Sequence, residues 1–157
     1  ETCGVESWRD NVEDLASQAE NEHGDHWILQ RDDGRIIGTT TVQKFCPPWG
    51  WTAHELAEQA DYLYTTITDP EFRAWRPGTL IAWWAVDRAA REGTQWVRRG
   101  CVEPRLRDYY RTQGFEQFHE VQKTHNRFYL MGRRAEPLPE LPALFADPGQ
   151  VTAAAWR

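Results

Sequence analysis

The chain has 157 residues and a mass of 18.3 kDa, enough for one domain with a hydrophobic core. Its net charge of -6 disfavours nucleic acid and acidic membranes as general partners. No apolar run reaches the length of about 18 residues that a membrane helix needs. Three cysteines without Cys-x-x-Cys spacing predict neither a disulfide framework nor a zinc knuckle, so a cytoplasmic location is the simplest interpretation.

Hydrophobic periodicity and turn residues predict alternating helices and strands. In chain order these are a helix over 8–22, strands over 26–30 and 35–44, a helix over 52–59, a strand over 61–68, a helix over 79–92, a strand over 96–102, a helix over 104–112, and strands over 115–123 and 128–133. Asp33-Gly34 marks a hairpin, and Thr52 with Glu55 fits a capping box. The strand–helix–strand unit over 61–102 implies a parallel pair with a right-handed crossover, and the outer strands are expected to be antiparallel. The fold class is therefore α/β (α+β) with a mixed sheet.

The C-terminal end of the chain differs in composition from the rest. Four prolines fall in the last 22 residues, at Pro137, Pro139, Pro142 and Pro148. Such a segment is expected to be extended or irregular. The predicted organisation is one domain over residues 1–135 and a proline-rich tail over residues 136–157.

The segment from Tyr62 to Phe115 resembles the GNAT family of acetyl-CoA-dependent N-acetyltransferases. A strand (YLYTTIT) leads through a loop (DPEFRAWRPG) into a helix (TLIAWWAVDRAAREG), a second strand (WVRRGCV) and a helix that ends in YYRTQGF. The upstream hairpin, with Gly38 in its return strand, also fits, so the resemblance covers roughly residues 8–134. It implies a mixed central sheet flanked by helices. The family's first strand and helix are expected to be missing, because residues 1–7 are too few to form them.

The resemblance implies a site for acetyl-CoA as co-substrate, with no metal. The family's phosphate loop corresponds to the six residues from Arg73 to Gly78, where Arg76 replaces the first glycine and Pro77 removes a backbone donor. Two interpretations stay open: phosphate binding by Arg73, Arg76, Gly78 and Thr79, with arginine charge in place of close backbone approach, or a loop that has lost this role.

The resemblance also places the pantetheine arm along strand 62–68. That strand would splay from strand 96–102 to admit the arm. The backbone of Ile67 and Thr68 would then hold and polarise the thioester.

Two residues are candidates for the chemistry. Tyr110, four residues before Gly114, matches the family's general acid, and a neutral phenol suits protonation of a leaving thiolate. Tyr109 is a substitute, and helix packing is the alternative for both tyrosines. Glu103 stands where the family often has asparagine; it is either a base for the acceptor ammonium or a solvated carboxylate.

The acceptor pocket is expected among the early segments. Nine tryptophans favour an aromatic core, an aromatic pocket or both. The candidates for an aromatic wall that stacks on an amine are Trp49, Trp51, Tyr62 and Tyr64, with core packing as the alternative for each. Asp61 and Glu71 are further candidates for attracting a cationic amine.

Two other groups of residues carry weaker signals. The basic cluster consists of Arg98, Arg99, Arg105, Arg107 and Arg111. It is either a solvated face or an attractor of cofactor phosphates, with Arg107 best placed. His23 and His26 are spaced as metal ligands would be on a helix, but Gly24 opposes a helix and no third ligand is evident, so no metal is predicted. His119 and His125 are isolated in the sequence.

The predicted function is transfer of an acetyl group from acetyl-CoA to the primary amine of a small molecule by direct attack. The alternatives are a non-catalytic GNAT-like binding or regulatory module, and acetylation of a protein or a tRNA-linked amine. A sheet that lacks its first strand would have an open edge, so a homodimer is a further expectation.

Overall fold

A computed structural model describes residues 24–141 of the chain. In chain order the elements are β1 (Gly24–Gln30), β2 (Ile36–Gln43), α1 (Ala53–Ala57), β3 (Ala60–Thr68), a 3₁₀ helix (Pro70–Trp75), α2 (Pro77–Arg91), β4 (Trp96–Cys101), α3 (Pro104–Thr112), β5 (Glu116–Lys123) and β6 (Asn126–Arg134). The predicted helix over 8–22 lies outside the described residues. Within residues 24–141, no helix is both long and apolar enough to cross a membrane.

The strands form one mixed sheet of six strands in the order β1-β2-β3-β4-β6-β5. The pair β3–β4 is parallel, whereas β1–β2, β2–β3, β4–β6 and β5–β6 are antiparallel. The predicted parallel pair and antiparallel outer strands are thus confirmed, because α2 provides the crossover that a parallel connection needs. Gly34 has a φ of 85°, which lets the β1–β2 hairpin turn as predicted.

The parallel pair is short, and this shapes the site. β3 and β4 pair only at Ala60–Trp96, Asp61–Val97 and Tyr62–Arg98. β3 continues to Thr68 beside β2, and β4 continues to Cys101 beside β6. The two strands therefore separate after Tyr62 and leave a gap between them, as the resemblance implies.

The two faces of the sheet carry different cores. On one face, α2 and α3 cover the strands, and the buried side chains include Val42, Leu63, Ala82, Val86, Val97, Tyr110, Phe115 and Met131. On the other face, segment 46–58 covers an aromatic cluster with Trp51, Ala60, Tyr62 and Leu130, against which Trp49, Trp96, Phe118 and Phe128 pack. We call these the helix face and the aromatic face.

Several predicted element boundaries shift by a few residues, and two of the differences bear on the site. The segment between β3 and α2, predicted to be an irregular loop, contains the 3₁₀ helix Pro70–Trp75, whose start is capped by the Asp69 side chain. Helix α2 begins at Pro77 rather than residue 79, since a proline is compatible with the first position of a helix. The Thr52–Glu55 capping box is present.

The start of the predicted tail packs on the domain. Leu138 lies against the helix-face core and donates its N–H to Asp87, and Leu141 is buried. The domain boundary at residue 135 and the homodimer stay predictions, and residues 142–157 lie outside the described part of the chain.

Candidate active site

The gap between β3 and β4 leads from the last residue pair of the two strands to the start of α2. At its outer end, a Cβ on Gly78 would lie 3.9 Å from Thr68 Cγ2, so the end of β3 adjoins the beginning of α2. Along its side runs α3, which carries both candidate tyrosines. An elongated ligand in this gap would therefore meet a strand edge, a helix N-terminus and two phenols.

At the start of α2, Arg76 adopts a backbone conformation that is typical of glycine, although the first glycine of the loop is absent. Arg76 has φ 50° and ψ 56°, the left-handed conformation that glycine adopts easily and other residues adopt at a cost. Thr79 and Leu80 both donate to the carbonyl of Arg76, and Pro77 has no N–H. Within the described residues, the N–H of Gly78 is the donor left at this helix start for a bound anion.

Two arginine side chains add charge at the same place. Arg73 and Arg76 are exposed, and neither forms an ion pair with a described residue. Charge-assisted hydrogen bonds from guanidinium groups are stronger than those from neutral donors. The loop therefore fits a phosphate through one backbone donor and flexible charged side chains, rather than through a row of backbone N–H groups.

Both tyrosines of α3 point inward, to different neighbours. The Tyr109 hydroxyl lies 3.0 Å from Thr79 Oγ1, beside Gly78. Tyr110 is buried against Phe115 on the helix face. Positions one residue apart on a helix differ by about 100°, so the two phenols lie in different surroundings, Tyr109 beside α2 and Tyr110 against the sheet.

The surroundings of Tyr110 keep its phenol protonated. Burial raises the pKa of Tyr110, although the nearby Arg99 guanidinium works in the opposite direction. The carbon of that guanidinium lies 3.6 Å from the centroid of the Tyr110 ring. A buried neutral phenol in this place can donate a proton, as the predicted general acid must.

The backbone of β3 presents alternate residues to the gap. Asp69 donates its N–H to Ile37 across the β2–β3 ladder, and in an antiparallel ladder every second residue pair exchanges such bonds. The backbone groups of Ile67 therefore point to β2, and those of Thr66 and Thr68 point into the gap. On this geometry the backbone of Ile67 is turned away from the gap, whereas that of Thr66 faces it, and the role predicted for Thr68 stays a prediction.

The predicted acceptor residues lie on the aromatic face or at the surface. Trp51 is buried, and Trp49 packs edge-on against Phe128 with a centroid distance of 4.8 Å. Tyr62 is buried with its hydroxyl over Gly100, 3.1 Å from where a Cβ would stand, and Tyr64 is exposed. Tyr62 is the member of this set that reaches the inner end of the gap.

The two acidic residues predicted to attract an amine are already paired. Asp61 is buried, with Lys44 Nζ 3.0 Å away and Arg88 Nη1 at 3.9 Å, which corrects its assignment to the acceptor pocket. Glu71 is exposed and paired with Arg35 at 2.6 Å. Both carboxylates are therefore largely neutralised by neighbouring cations.

The two other predicted site residues lie on and just before α3. Glu103 is exposed at the N-cap position of α3, and its side chain makes no capping hydrogen bond. Arg107 bonds Asp108 at 3.0 Å and lies over the Tyr129 ring at 4.7 Å. Arg107 is thus engaged on its own helix, and the roles of both residues stay predictions.

The predicted basic cluster does not form one surface. Arg98 and Arg99 are both buried, on opposite faces of β4, because successive strand residues point to opposite sides. Arg98 reaches the Glu58 carboxylate and the Glu55 carbonyl on the aromatic face. Arg99 reaches Thr66 and Gln113 on the helix face. Only the remaining arginines of the cluster, on α3, could attract phosphates from the surface.

Sequence reasoning missed a histidine–carboxylate pair. His119 Nε2 lies 2.8 Å from a Glu55 oxygen, beside the ring of Trp51. Burial opposes ionisation of Glu55, but hydrogen bonds from Thr52 and His119 outweigh it, and the pKa of Glu55 is lowered. The two residues are 64 positions apart, so no local sequence pattern indicates the contact.

The described residues give no support to a metal site. Among residues 24–141, no group of three or more His, Cys, Asp or Glu side chains is arranged to hold an ion. His26 is buried and its Nδ1 lies 3.0 Å from Thr41 Oγ1. His23 lies outside the described residues.

Comparison with known proteins identifies the fold. No protein-family model and no curated protein sequence matches the chain. A GNAT-family acetyltransferase from Listeria monocytogenes matches with a TM-score of 0.62 and 18% identity, over 83% of this chain and 78% of that chain. The ribosomal-protein-S18-alanine N-acetyltransferase from Escherichia coli matches with a TM-score of 0.59 and 12% identity, over 82% and 80%. A spermidine N-acetyltransferase from Vibrio cholerae, in complex with CoA and spermine, matches with a TM-score of 0.58 and 11% identity, over 80% and 75%.

These matches confirm the resemblance at the level of the fold. The protein has the GNAT fold: a mixed six-stranded sheet with flanking helices and a parallel central pair that separates. Identities of 11–18% leave the activity to be argued from the residues of this chain.

Proposed function

We propose that this protein is an acetyl-CoA-dependent N-acetyltransferase that acetylates the primary amine of a small molecule by direct attack. One observation carries the proposal: the β3–β4 gap has a helix N-terminus at one end and a buried protonated tyrosine along its side. A phosphate-bearing thioester needs both features, an anion site at one end and a proton donor near the sulfur. The GNAT acetyltransferases that share this fold provide independent support.

The residues around the gap suit the parts of the co-substrate. The Gly78 N–H, with Arg73 and Arg76, would bind phosphate, and the hydroxyls of Thr79 and Tyr109 lie beside them. The unpaired edge of β3 would hydrogen-bond the amide groups of the pantetheine arm through Thr66 and Thr68. Acetyl-CoA supplies an activated acetyl group on a thioester when bound.

The chain's own groups would then manage charge and protons. Backbone donors on β3 would polarise the thioester carbonyl while the acceptor nitrogen adds to it. The Tyr110 phenol would give its proton to the sulfur as the carbon–sulfur bond breaks. The proton lost by the acceptor ammonium would pass to water or to Glu103, which is exposed at the start of α3.

A cationic small-molecule amine is the acceptor class that we propose. The net charge of -6 attracts cations, and aromatic rings line the face opposite α2 and α3. One structural neighbour is a spermidine N-acetyltransferase bound to spermine, so polyamines are the first acceptors to test. Tyr62, Tyr64, Trp49 and Trp51 are the proposed aromatic contacts.

The altered loop favours one competing function, a GNAT-like module that binds without catalysis. Pro77 removes a donor, and the side chain of Arg76 stands where glycine would allow close approach. Acetylation of a protein amine is a further alternative, since one neighbour is named for acetylating a ribosomal protein.

Calorimetric titration of the full-length protein with acetyl-CoA tests the proposal. Gly78→Trp should abolish binding, because a Cβ there already lies 3.3 Å from the Tyr109 hydroxyl. Arg91→Trp, at the exposed far end of α2, is the matched control and should bind like wild type. Absence of wild-type binding at millimolar acetyl-CoA would reject the proposal.

A second experiment separates catalysis from binding. Spermidine, spermine and other amines are incubated with acetyl-CoA and the protein, and acetylated products are detected by mass spectrometry. Tyr110→Phe should keep acetyl-CoA affinity and lower turnover by about 10²–10⁴-fold, the usual contribution of general acid catalysis. Tight binding without product from any amine would favour the non-catalytic module.

A further inference from the structure

Arg99 is a buried cation at the edge of the proposed catalytic gap. It follows Arg98, the last β4 residue paired with β3, so it lies on β4 where the two strands begin to separate. Its exposure is 3%. The side chain extends along the helix face to Thr66 on β3 and to Gln113 after α3.

The charge of Arg99 has no anionic partner in the described part of the chain. Its contacts are neutral oxygens, Thr66 Oγ1 at 3.3 Å and Gln113 Oε1 at 3.4 Å, both longer than the usual hydrogen bond of about 2.9–3.0 Å. Its Nε has no hydrogen-bond partner among the described residues. Burying a cation without a counterion is costly, so a ligand that brings negative charge beside Arg99 would be stabilised there.

Arg98, the preceding residue of β4, is also a buried cation, but its charge is neutralised by a carboxylate. Arg98 is equally buried, but it pairs with the Glu58 carboxylate and lies between the rings of Trp51 and Trp96 on the aromatic face. The two arginines therefore differ in electrostatic state, although both are fixed by the same strand. Of these two arginines, Arg99 is the one whose charge has no anionic partner among the described residues.

The position of Arg99 matches the place where the proposed reaction develops negative charge. Its guanidinium covers the ring of Tyr110, the proposed proton donor, and touches Thr66, whose backbone faces the gap. A cation in a site with little water interacts strongly with a nearby anion.

We propose that Arg99 stabilises the negative charge on the CoA sulfur as the thioester is cleaved. This inference rests on the proposed function. When the carbon–sulfur bond breaks, its electron pair goes to sulfur, and the sulfur then takes the Tyr110 proton. Arg99 keeps its own proton throughout and offsets first the thiolate and then the phenolate. The phenolate recovers a proton from solvent, which has received one from the acceptor ammonium, so the proton count balances.

The acidity of the bound CoA thiol tests this directly and needs no acceptor. Full-length protein is titrated with CoA across pH, and the thiolate is followed by its ultraviolet absorbance. We expect wild type to lower the pKa of the bound thiol by about 1–3, the effect of a close opposite charge. Arg99→Gln should lose this effect, and Arg99→Lys should retain part of it.

Desulfo-CoA, which lacks the sulfur, is the control ligand. The affinity for desulfo-CoA should stay within about twofold between wild type and both variants. Arg99 is proposed to act on the sulfur, and this ligand has none. A purely structural role for Arg99 would instead weaken CoA and desulfo-CoA alike.

Besides equal weakening of CoA and desulfo-CoA binding, three outcomes would overturn the proposal. A wild-type-bound thiol as basic as that of free CoA would show that Arg99 does not act on sulfur, whether or not the variants fold. Tighter binding of desulfo-CoA by Arg99→Gln would show that the arginine obstructs the gap. In both cases the proposed function survives if wild type binds acetyl-CoA, whereas failure of wild type to bind either ligand would reject both proposals.

Discussion

Substitutions of Arg76 test separately the backbone strain and the ligand binding of the proposed phosphate loop. Its left-handed conformation costs a non-glycine residue roughly 1–2 kcal/mol, and the following Pro77 restricts it further. Glycine would remove this strain but loses about 0.5–1 kcal/mol more conformational entropy than alanine on folding. Arg76→Gly should therefore exceed Arg76→Ala in unfolding free energy by roughly 0.5–1 kcal/mol.

The comparison between these two variants isolates the backbone, because both lack the guanidinium. At this chain length, about 1 kcal/mol corresponds to roughly 2–4 °C in Tm. Urea denaturation and thermal melting measure the difference. Equal stability of the two variants, or a less stable glycine variant, would refute the claim that the conformation of Arg76 is strained.

The same variants report on the side chain when acetyl-CoA affinity is measured. Loss of one charge-assisted hydrogen bond costs about 1.5–3 kcal/mol, so both variants should bind at least about tenfold more weakly than wild type. Arg76→Lys keeps the charge and should lose less. Unchanged affinity in all three would remove Arg76 from the phosphate site without affecting the stability argument.

Three further predictions concern buried groups. Burial raises the pKa of Cys101 to about 11 and also raises that of Cys46. Iodoacetamide at pH 8 should therefore label both thiols only after unfolding, which peptide mass spectrometry detects. Rapid labelling of the native protein would contradict their burial. Arg98→Met should lower the urea-derived unfolding free energy by about 3 kcal/mol, because it removes the guanidinium partner of the largely buried Glu58 carboxylate, with Arg98→Lys as the milder control; a Met variant as stable as wild type would contradict this. Burial raises the pKa of Tyr110 above its ordinary value of 10.0, so the phenol keeps its proton below pH 10 and its ionisation should not lower turnover there. A fall in turnover near pH 8 that disappears in Tyr110→Phe would contradict the assignment.

The order of elements could be read from the sequence because its signals are local. Alternating apolar residues, the Asp33-Gly34 turn and the Thr52 capping box each act within a few residues. A strand–helix–strand unit also forces a parallel pair, which fixed the topology at the centre of the sheet. The position of the proposed phosphate loop, between β3 and α2, followed from the same local order.

The orientation of side chains within the site required the tertiary structure. Strand alternation requires Arg98 and Arg99 to face opposite sides, a signal that was available, but it does not tell which side holds a carboxylate. Likewise, helix geometry predicts that Tyr109 and Tyr110 point in different directions. It does not predict that Tyr109 lies beside α2 and Tyr110 beside the sheet.

The sequence by itself therefore determined which elements form and where the chain turns, since those depend on neighbours along the chain. The tertiary structure decided which charges are neutralised, for that depends on residues far apart in sequence. The charge of Asp61 is neutralised by Lys44, whereas the hydrogen-bond partners of Arg99 among the described residues are neutral. Electrostatic interactions fall off over a few ångströms of space, and only folding sets those distances.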